Sequence, residues 1–195
     1  MIKEKILTLL RSTERDGTED LIEYMEESGF FEAPASTKYH GATEGALAVH
    51  SLNVCNTALE IAETVAGKEW FEDNKYSVII AALLHDLGKA GQFGKPLYVE
   101  NILKKGRSEA QPYKTNDELK AIAHEITSIV EAEKRIHLTE DEQFAILFHN
   151  GLYTSTGRTE LQGKETPLQM IIHFADLWCS RVTEKEGSED VQNPN

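Results

Sequence analysis

Cysteine is nearly missing from this chain: Cys55 and Cys179 are its two cysteines, both inside apolar helical patterns and without the close spacing of a zinc knuckle. That excludes a disulfide framework and predicts reduced, buried thiols in a cytoplasmic protein. Apolar runs stop well before the ~18 residues of a membrane span, and Met1-Ile2-Lys3-Glu4-Lys5-Ile6 leads into no sustained signal-peptide core. No membrane association is expected. Basic residues are also scarce, with 20 Lys and Arg against 33 Asp and Glu and a formal charge of -13. Sequence-independent binding to duplex nucleic acid needs many Lys and Arg contacts to phosphates, so it is not expected. Glycine-rich phosphate loops, a Gly-x-Ser-x-Gly turn and a His-Glu-x-x-His pair are absent, as are internal repeats and convincing strand runs.

What remains is helical periodicity in one domain, since 195 residues suffice for a single core. An all-α bundle is the fold expected. Residues 2 to 12, with Ile2, Ile6, Leu9 and Leu10, and 18 to 28, with Leu21, Ile22 and Met25, read as amphipathic covering helices. Proline, glycine and small polar residues between Phe30 and Gly41 mark a loop that ends at His40, where a bound anion would be within reach. A helix from about Thr43 to Val65 carries Leu47, His50, Val54, Ala58, Ile61 and Val65 along one stripe, so His50 is an inward polar residue. After a break at Gly67 comes the run Val78 to Leu84, apolar on most sides, which ends in His85-Asp86-Leu87-Gly88-Lys89.

An imidazole and a carboxylate at the end of a buried run need a partner. A divalent cation would supply the charge that an ionised Asp86 requires, and Lys89, one helical turn after His85, would project near the same point. Residues 91 to 116 read as a basic, irregular insertion holding Lys95, Lys104, Lys105, Arg107 and Lys114, with at most a short helix near Val99 to Leu103. A helix from about Asp117 to Arg135 has its main apolar stripe at Leu119, Ile122, Ala123, Ile126 and Val130. His124 lies on a second face with Ala121 and Ser128. Thr139 and Glu142 form a capping box for a helix running to His149 and Asn150, with Gly151 as its stop. A cationic His149 would there be favoured by the helix dipole. Residues 151 to 165 read as irregular, offering Tyr153, Arg158 and Lys164 to a ligand. Thr166, Pro167 and Gln169 open a last helix with almost no polar side, where Asp176 stands as a carboxylate that must be neutral, bonded or bound to a cation. The tail from Glu184 has little apolar content and reads as disordered.

Taken together, His50, His85-Asp86 with Lys89, and Asp176 resemble the H…HD…D pattern of the HD-domain metal-dependent phosphohydrolases over residues 30 to 183. Residues 1 to 29 would then be helices packed on that domain, and 184 to 195 a tail. The segment Phe31-Glu32-Ala33-Pro34-Ala35-Ser36, followed by His40, Gly45 and His50, is similar to the start of the HD domain in bacterial 3′-5′ exoribonucleases.

The resemblance implies that His50, His85, Asp86 and Asp176 hold a divalent metal. It also implies that His124 and His149 are the further histidines of binuclear members, with Asp86 bridging two ions. Members with a double histidine at the fourth motif would have His where this chain has Asn150. One or two ions of Mn, Fe, Co, Ni or Zn suit the mixed nitrogen and oxygen donors. The implied activity is hydrolysis of a phosphoester of a nucleotide or short oligonucleotide by metal-activated water. Asp86 and Lys89 would act at the reacting centre, with Lys89, His40 and Arg158 binding the substrate. A non-catalytic metal or nucleotide sensor and a di-iron oxygenase on the same fold are the alternatives. Phosphate release and oxygen uptake discriminate among the three.

Overall fold

The computed structural model describes residues 1–38 and 41–185. His40 therefore lies outside the described residues. Among the described residues eight α-helices carry the fold: α1 (Ile2–Ser12), α2 (Thr18–Glu27), α3 (Ala46–Ile61), α4 (Lys68–Leu84), α5 (His124–Glu133), α6 (Glu140–Leu147), α7 (Ser155–Glu160) and α8 (Pro167–Trp178). The class is all-α, as expected. α3 and α4 pack side by side at the centre, α8 lies against α3 and α6, and α1 covers α3 and α4. One apolar cluster runs from Ile6 and Leu10 through Phe30, Leu47, Val54 and the whole of Val78–Leu84 to Ile172 and Cys179. The two N-terminal helices thus share a core with the rest.

Residues 98 to 115 form two nested antiparallel pairs, not a short helix: β1 (Tyr98–Glu100) with β4 (Tyr113–Thr115), and β2 (Ile102–Leu103) with β3 (Gly106–Arg107). The run is too short to pay a helix's nucleation cost, while the turn before Gly106 lets it fold back on itself. A backbone bond from Tyr113 N–H to the Thr37 carbonyl (3.2 Å) ties this hairpin to the loop before α3.

Three further expectations change. The helix expected from Asp117 begins at His124, and its apolar stripe faces outward: Ile122, Ile126 and Val130 are 43% to 47% exposed, while Glu125, Thr127, Ser128, Glu131 and Ala132 are buried. Paired polar groups win this face, with Glu131 held by Lys134 (2.7 Å) and Arg135 (3.0 Å). Residues 151 to 165 are ordered as a 3₁₀ turn (Gly151–Tyr153) and α7. Finally, α8 has an exposed apolar side with Phe174 and Trp178, which lines a groove of ≈ 870 Å³ with Ile61, Tyr153 and Val182.

The capping box of Thr139 and Glu142 is present in both directions. At α8, Thr166 Oγ1 accepts from Gln169 N (3.3 Å), but the Gln169 amide donates to the Phe148 carbonyl (2.9 Å) instead of closing a second box. No helix among the described residues is long and apolar enough to cross a membrane.

Candidate metal centre

Three helices and two turns deliver six side chains to one point. His50 sits in the second turn of α3 on the face of Leu47 and Val54, and is buried with them. α4 ends after Leu84, and buried His85 and Asp86 then lead into a 3₁₀ turn at Leu87–Lys89. That turn is fastened to α5 by Ser128, whose Oγ accepts from Gly88 N–H (2.8 Å) and donates to the His85 carbonyl (3.0 Å). The approach is so close that a Cβ on Gly88 would stand 2.3 Å from the His124 carbonyl oxygen. A side chain there would push away the first turn of α5, which carries His124.

His149 follows α6, buried, with its own carbonyl accepting from His173 Nδ1–H (2.7 Å). Gly151, at φ +52°, lies against the His173 ring, where a Cβ would come within 2.6 Å. Asp176 projects from α8.

The acceptor atoms converge. His50 Nε2 lies 3.3 Å from His85 Nε2, 3.2 Å from Asp176 Oδ1 and 3.5 Å from Asp86 Oδ2. His85 Nε2 is 3.3 Å from the same Asp86 oxygen. The other Asp86 oxygen, Oδ1, faces His124 Nε2 (3.0 Å) and His149 Nε2 (3.6 Å). Asp86 thus divides the cluster, with one oxygen turned to each half.

Each imidazole turns Nε2 inward because Nδ1 is occupied behind it. His85 Nδ1–H donates to the Ala82 carbonyl (2.7 Å) and His149 Nδ1–H to the Ile146 carbonyl (2.8 Å). His50 Nδ1 meets Glu184 Oε2 at 2.9 Å, and His124 Nδ1 lies 3.4 Å from Glu125 Oε2. An outer acceptor that fixes tautomer and ring orientation is the usual support of a metal-binding histidine.

The charges follow from this crowding. Burial presses against ionisation of Asp86 and Asp176, but Lys89 and the histidines around Asp86, and chiefly His50 beside Asp176, hold both carboxyls well below the usual range. Burial also opposes a charged His50, yet Asp176 and Glu184 outweigh it and raise its pKa to about 10. His149 goes the other way, to about 3, because burial and then the charge of His85 disfavour its cation. The dipole of one helix terminus, the structural alternative for His149, is thus opposed by desolvation, and the neutral imidazole is favoured.

Asp86 Oδ1 and His124 Nε2 are both buried and, despite their proximity, neither has a hydrogen-bond partner among the described residues. Buried polar atoms without partners are costly. Two of them facing one space, beside unprotonated His149 Nε2, suit a third body of positive charge. Three overlapping groups have donor atoms close enough to share an ion: His50, His85 and Asp86; His85, His149 and Asp176; and Asp86, His124 and His149. Nitrogen and oxygen donors of this kind fit a divalent transition metal.

The sequence model of the HD domain matches residues 47–177, a span that contains all six of these side chains. The chain belongs to the HD-domain family. A 58-residue stretch, 30% of the chain, is 40% identical to an enzyme of Methanocaldococcus jannaschii named dihydroneopterin 2′,3′-cyclic phosphate phosphodiesterase, of which it spans 23%. No solved structure matches the chain.

Within this HD domain the remaining sequence-predicted residues fall as follows. Lys89 Nζ contacts Asp86 Oδ2 at 2.6 Å, at the rim of the cluster. Arg158 is on the surface, where it donates to the Leu152 (3.1 Å) and Tyr153 (3.3 Å) carbonyls and props up the turn after His149. Its described contacts are with that turn and not with the cluster.

Sequence reasoning missed Glu184, Glu125 and Tyr98. Glu184 stands at the start of a polar tail in the sequence, yet its carboxylate reaches back to α3. Glu125 neighbours His124 but was hidden by the wrong phase of α5. Tyr98, on β1, is half-buried, and its phenol is raised by burial and acted on by the charges of Lys89, Asp86 and Glu125. Asn150, noted only for not being histidine, donates from Nδ2 to His149 Nε2 (2.8 Å) and Glu125 Oε1 (2.9 Å).

Proposed function

We propose that this HD-domain protein is a metal-dependent phosphohydrolase that cleaves a phosphoester of a small nucleotide-type substrate. The observation that carries the reading is the convergence of His50, His85, Asp86, His124, His149 and Asp176, with two buried polar atoms left without hydrogen-bond partners among the described residues. The name of the Methanocaldococcus jannaschii relative, a dihydroneopterin 2′,3′-cyclic phosphate phosphodiesterase, supports a small phosphodiester within that class.

His50, His85, Asp86 and Asp176 would hold one divalent cation, and Asp86 Oδ1, His124 and His149 a second. Such an ion, when bound, lowers the pKa of water and offsets charge on phosphoryl oxygens. The chain's own residues supply the rest. Neutral His149 and ionised Asp86 and Asp176 are already in their ligating protonation states. Lys89 keeps its proton, because the neighbouring Asp86 carboxylate outweighs burial, and puts a fixed positive charge where a phosphoryl oxygen would lie. Tyr98 brings a neutral phenol from the hairpin into the field of Lys89 and Asp86, and His40 is the further substrate-binding candidate.

The test is phosphate or alcohol release from 2′,3′-cyclic, 3′,5′-cyclic, mono- and triphosphate nucleotides and short oligonucleotides, each with added manganese or cobalt. Turnover that disappears in Asp86→Asn supports the reading. Ligand binding without turnover would favour a sensor, and oxygen uptake without phosphate release an oxygenase.

A further inference from the structure

The four inward-facing imidazoles are not supported alike. His85 and His149 each stand just past the end of a helix, and the Ala82 and Ile146 carbonyls that take their Nδ1–H groups belong to last turns, whose carbonyls lack helical partners. His124 opens α5 and has Glu125 beside it. His50 is different. It lies inside α3, where the preceding carbonyls are already engaged by the helix, so its Nδ1–H must look outside. What it finds is Glu184, 134 positions along the chain, at 2.9 Å.

Glu184 follows the π turn Cys179–Thr183 that continues α8, and its side chain is only 13% exposed. Its second oxygen, Oε1, accepts from Asn53 Nδ2 at 2.9 Å. Asn53 is three residues after His50 and so on the adjoining turn of α3. The carboxylate is therefore clamped on α3 at two points, one on the imidazole and one that sets its own rotamer. Since Asp176 at the other end of the same α8 segment faces His50 Nε2 at 3.2 Å, the C-terminal helix grips this imidazole from both sides.

We propose that Glu184 is the positioning residue of the metal centre: it holds His50 with Nδ1 protonated and Nε2 aimed into the cluster, with Asn53 fixing the carboxylate in turn. This rests on the reading of the cluster as a metal site. Loss of an outer acceptor of this kind weakens metal affinity by roughly 10- to 100-fold.

The experiment titrates the full chain and its Glu184→Ala, Glu184→Gln and Asn53→Ala variants with Co²⁺, following heat and the visible ligand-field spectrum, with thermal unfolding of each protein as a check of the fold. Wild type binds with a defined spectrum. Glu184→Ala binds roughly 10- to 100-fold more weakly with an altered spectrum. Glu184→Gln, whose amide oxygen still accepts from Nδ1–H, recovers most of the affinity, and Asn53→Ala falls between.

Wild-type affinity and spectrum in Glu184→Ala would overturn the role of Glu184 while leaving the metal site standing. Absence of Co²⁺ binding by wild type would overturn the metal site itself. If Glu184→Ala fails to fold, the Gln and Asn53 variants decide, and equal weakening in Gln and Ala would also count against positioning.

Discussion

His50 Nε2 lies 3.2 Å from Asp176 Oδ1 while its Nδ1 lies 2.9 Å from Glu184 Oε2, so one buried imidazole is held between two carboxylates. These partners outweigh desolvation and raise its pKa to about 10, so near neutral pH a proton occupies the position a metal would take. Metal and proton then compete. The apparent affinity for Co²⁺ should rise with pH between 6 and 9, by up to about tenfold per unit, with a proton released on binding. Calorimetry in buffers of different ionisation enthalpy measures that release. A pH-independent affinity would contradict it.

The Asn150 amide occupies His149 Nε2 at 2.8 Å and so competes for an atom that a second ion needs. Asn150→His should raise bound Co²⁺ toward a second equivalent in equilibrium dialysis, because an imidazole adds a donor where the amide had blocked one. Unchanged stoichiometry would show that Asn150 is not the obstacle.

Lys89 borders the cluster without being a metal donor. Lys89→Met should leave Co²⁺ binding within a few fold of wild type while lowering kcat/KM by at least about 100-fold, the scale of losing one preorganised charge at a reacting oxyanion. Steady-state kinetics beside a metal titration separates the two. Equal losses in both would move Lys89 from substrate to metal support.

Gly88 and Ser128 lock the turn bearing His85 and Asp86 to α5. Gly88→Ala puts a methyl 2.3 Å from the His124 carbonyl oxygen and should cost about 2–4 kcal/mol. Ser128→Ala strips a buried N–H and a buried carbonyl of their partner, for about 1–3 kcal/mol. Denaturant melts test both.

Far from the site, Glu142 takes Arg15 on both oxygens, at 2.7 and 3.0 Å, and closes the α6 capping box. Burial pushes its pKa up, but these hydrogen bonds win and lower it. A lowered carboxyl stabilises the fold above its unfolded value of ~4.3 and loses that contribution as pH falls through the folded value. Glu142→Gln should therefore cost roughly 2–4 kcal/mol at pH 7, with the gap to wild type closing in urea melts toward pH 3.

Sequence and structure agree where a local rule governs. Helical spacing gave most of the inward faces of α1 to α4, although Ile2 and Val65, placed on those stripes, are 38% and 78% exposed, the Thr139–Glu142 box is a four-residue motif, and an acid or histidine inside an apolar stripe pointed at His50 and Asp176. They part where a distant contact governs. Ile122, Ile126 and Val130 form a regular stripe, yet the inward side of α5 is chosen by the fit of Ser128 onto the Gly88 turn and by paired Glu131. Glu184 offered no signal at all: it is a polar residue beside a polar tail until α8 brings it back to α3. His124 was legible only as a second face, and that second face is the one turned inward.

The six cluster side chains come from stretches between 50 and 176, and although α3 and the end of α4 together bring His50, His85 and Asp86, the full set needs α5, the end of α6 and α8 as well. The complete centre therefore exists only once these distant stretches have packed together. Ion retention makes a stringent gauge of cooperative refolding: it should return only with the full set of tertiary contacts, never with helix content alone.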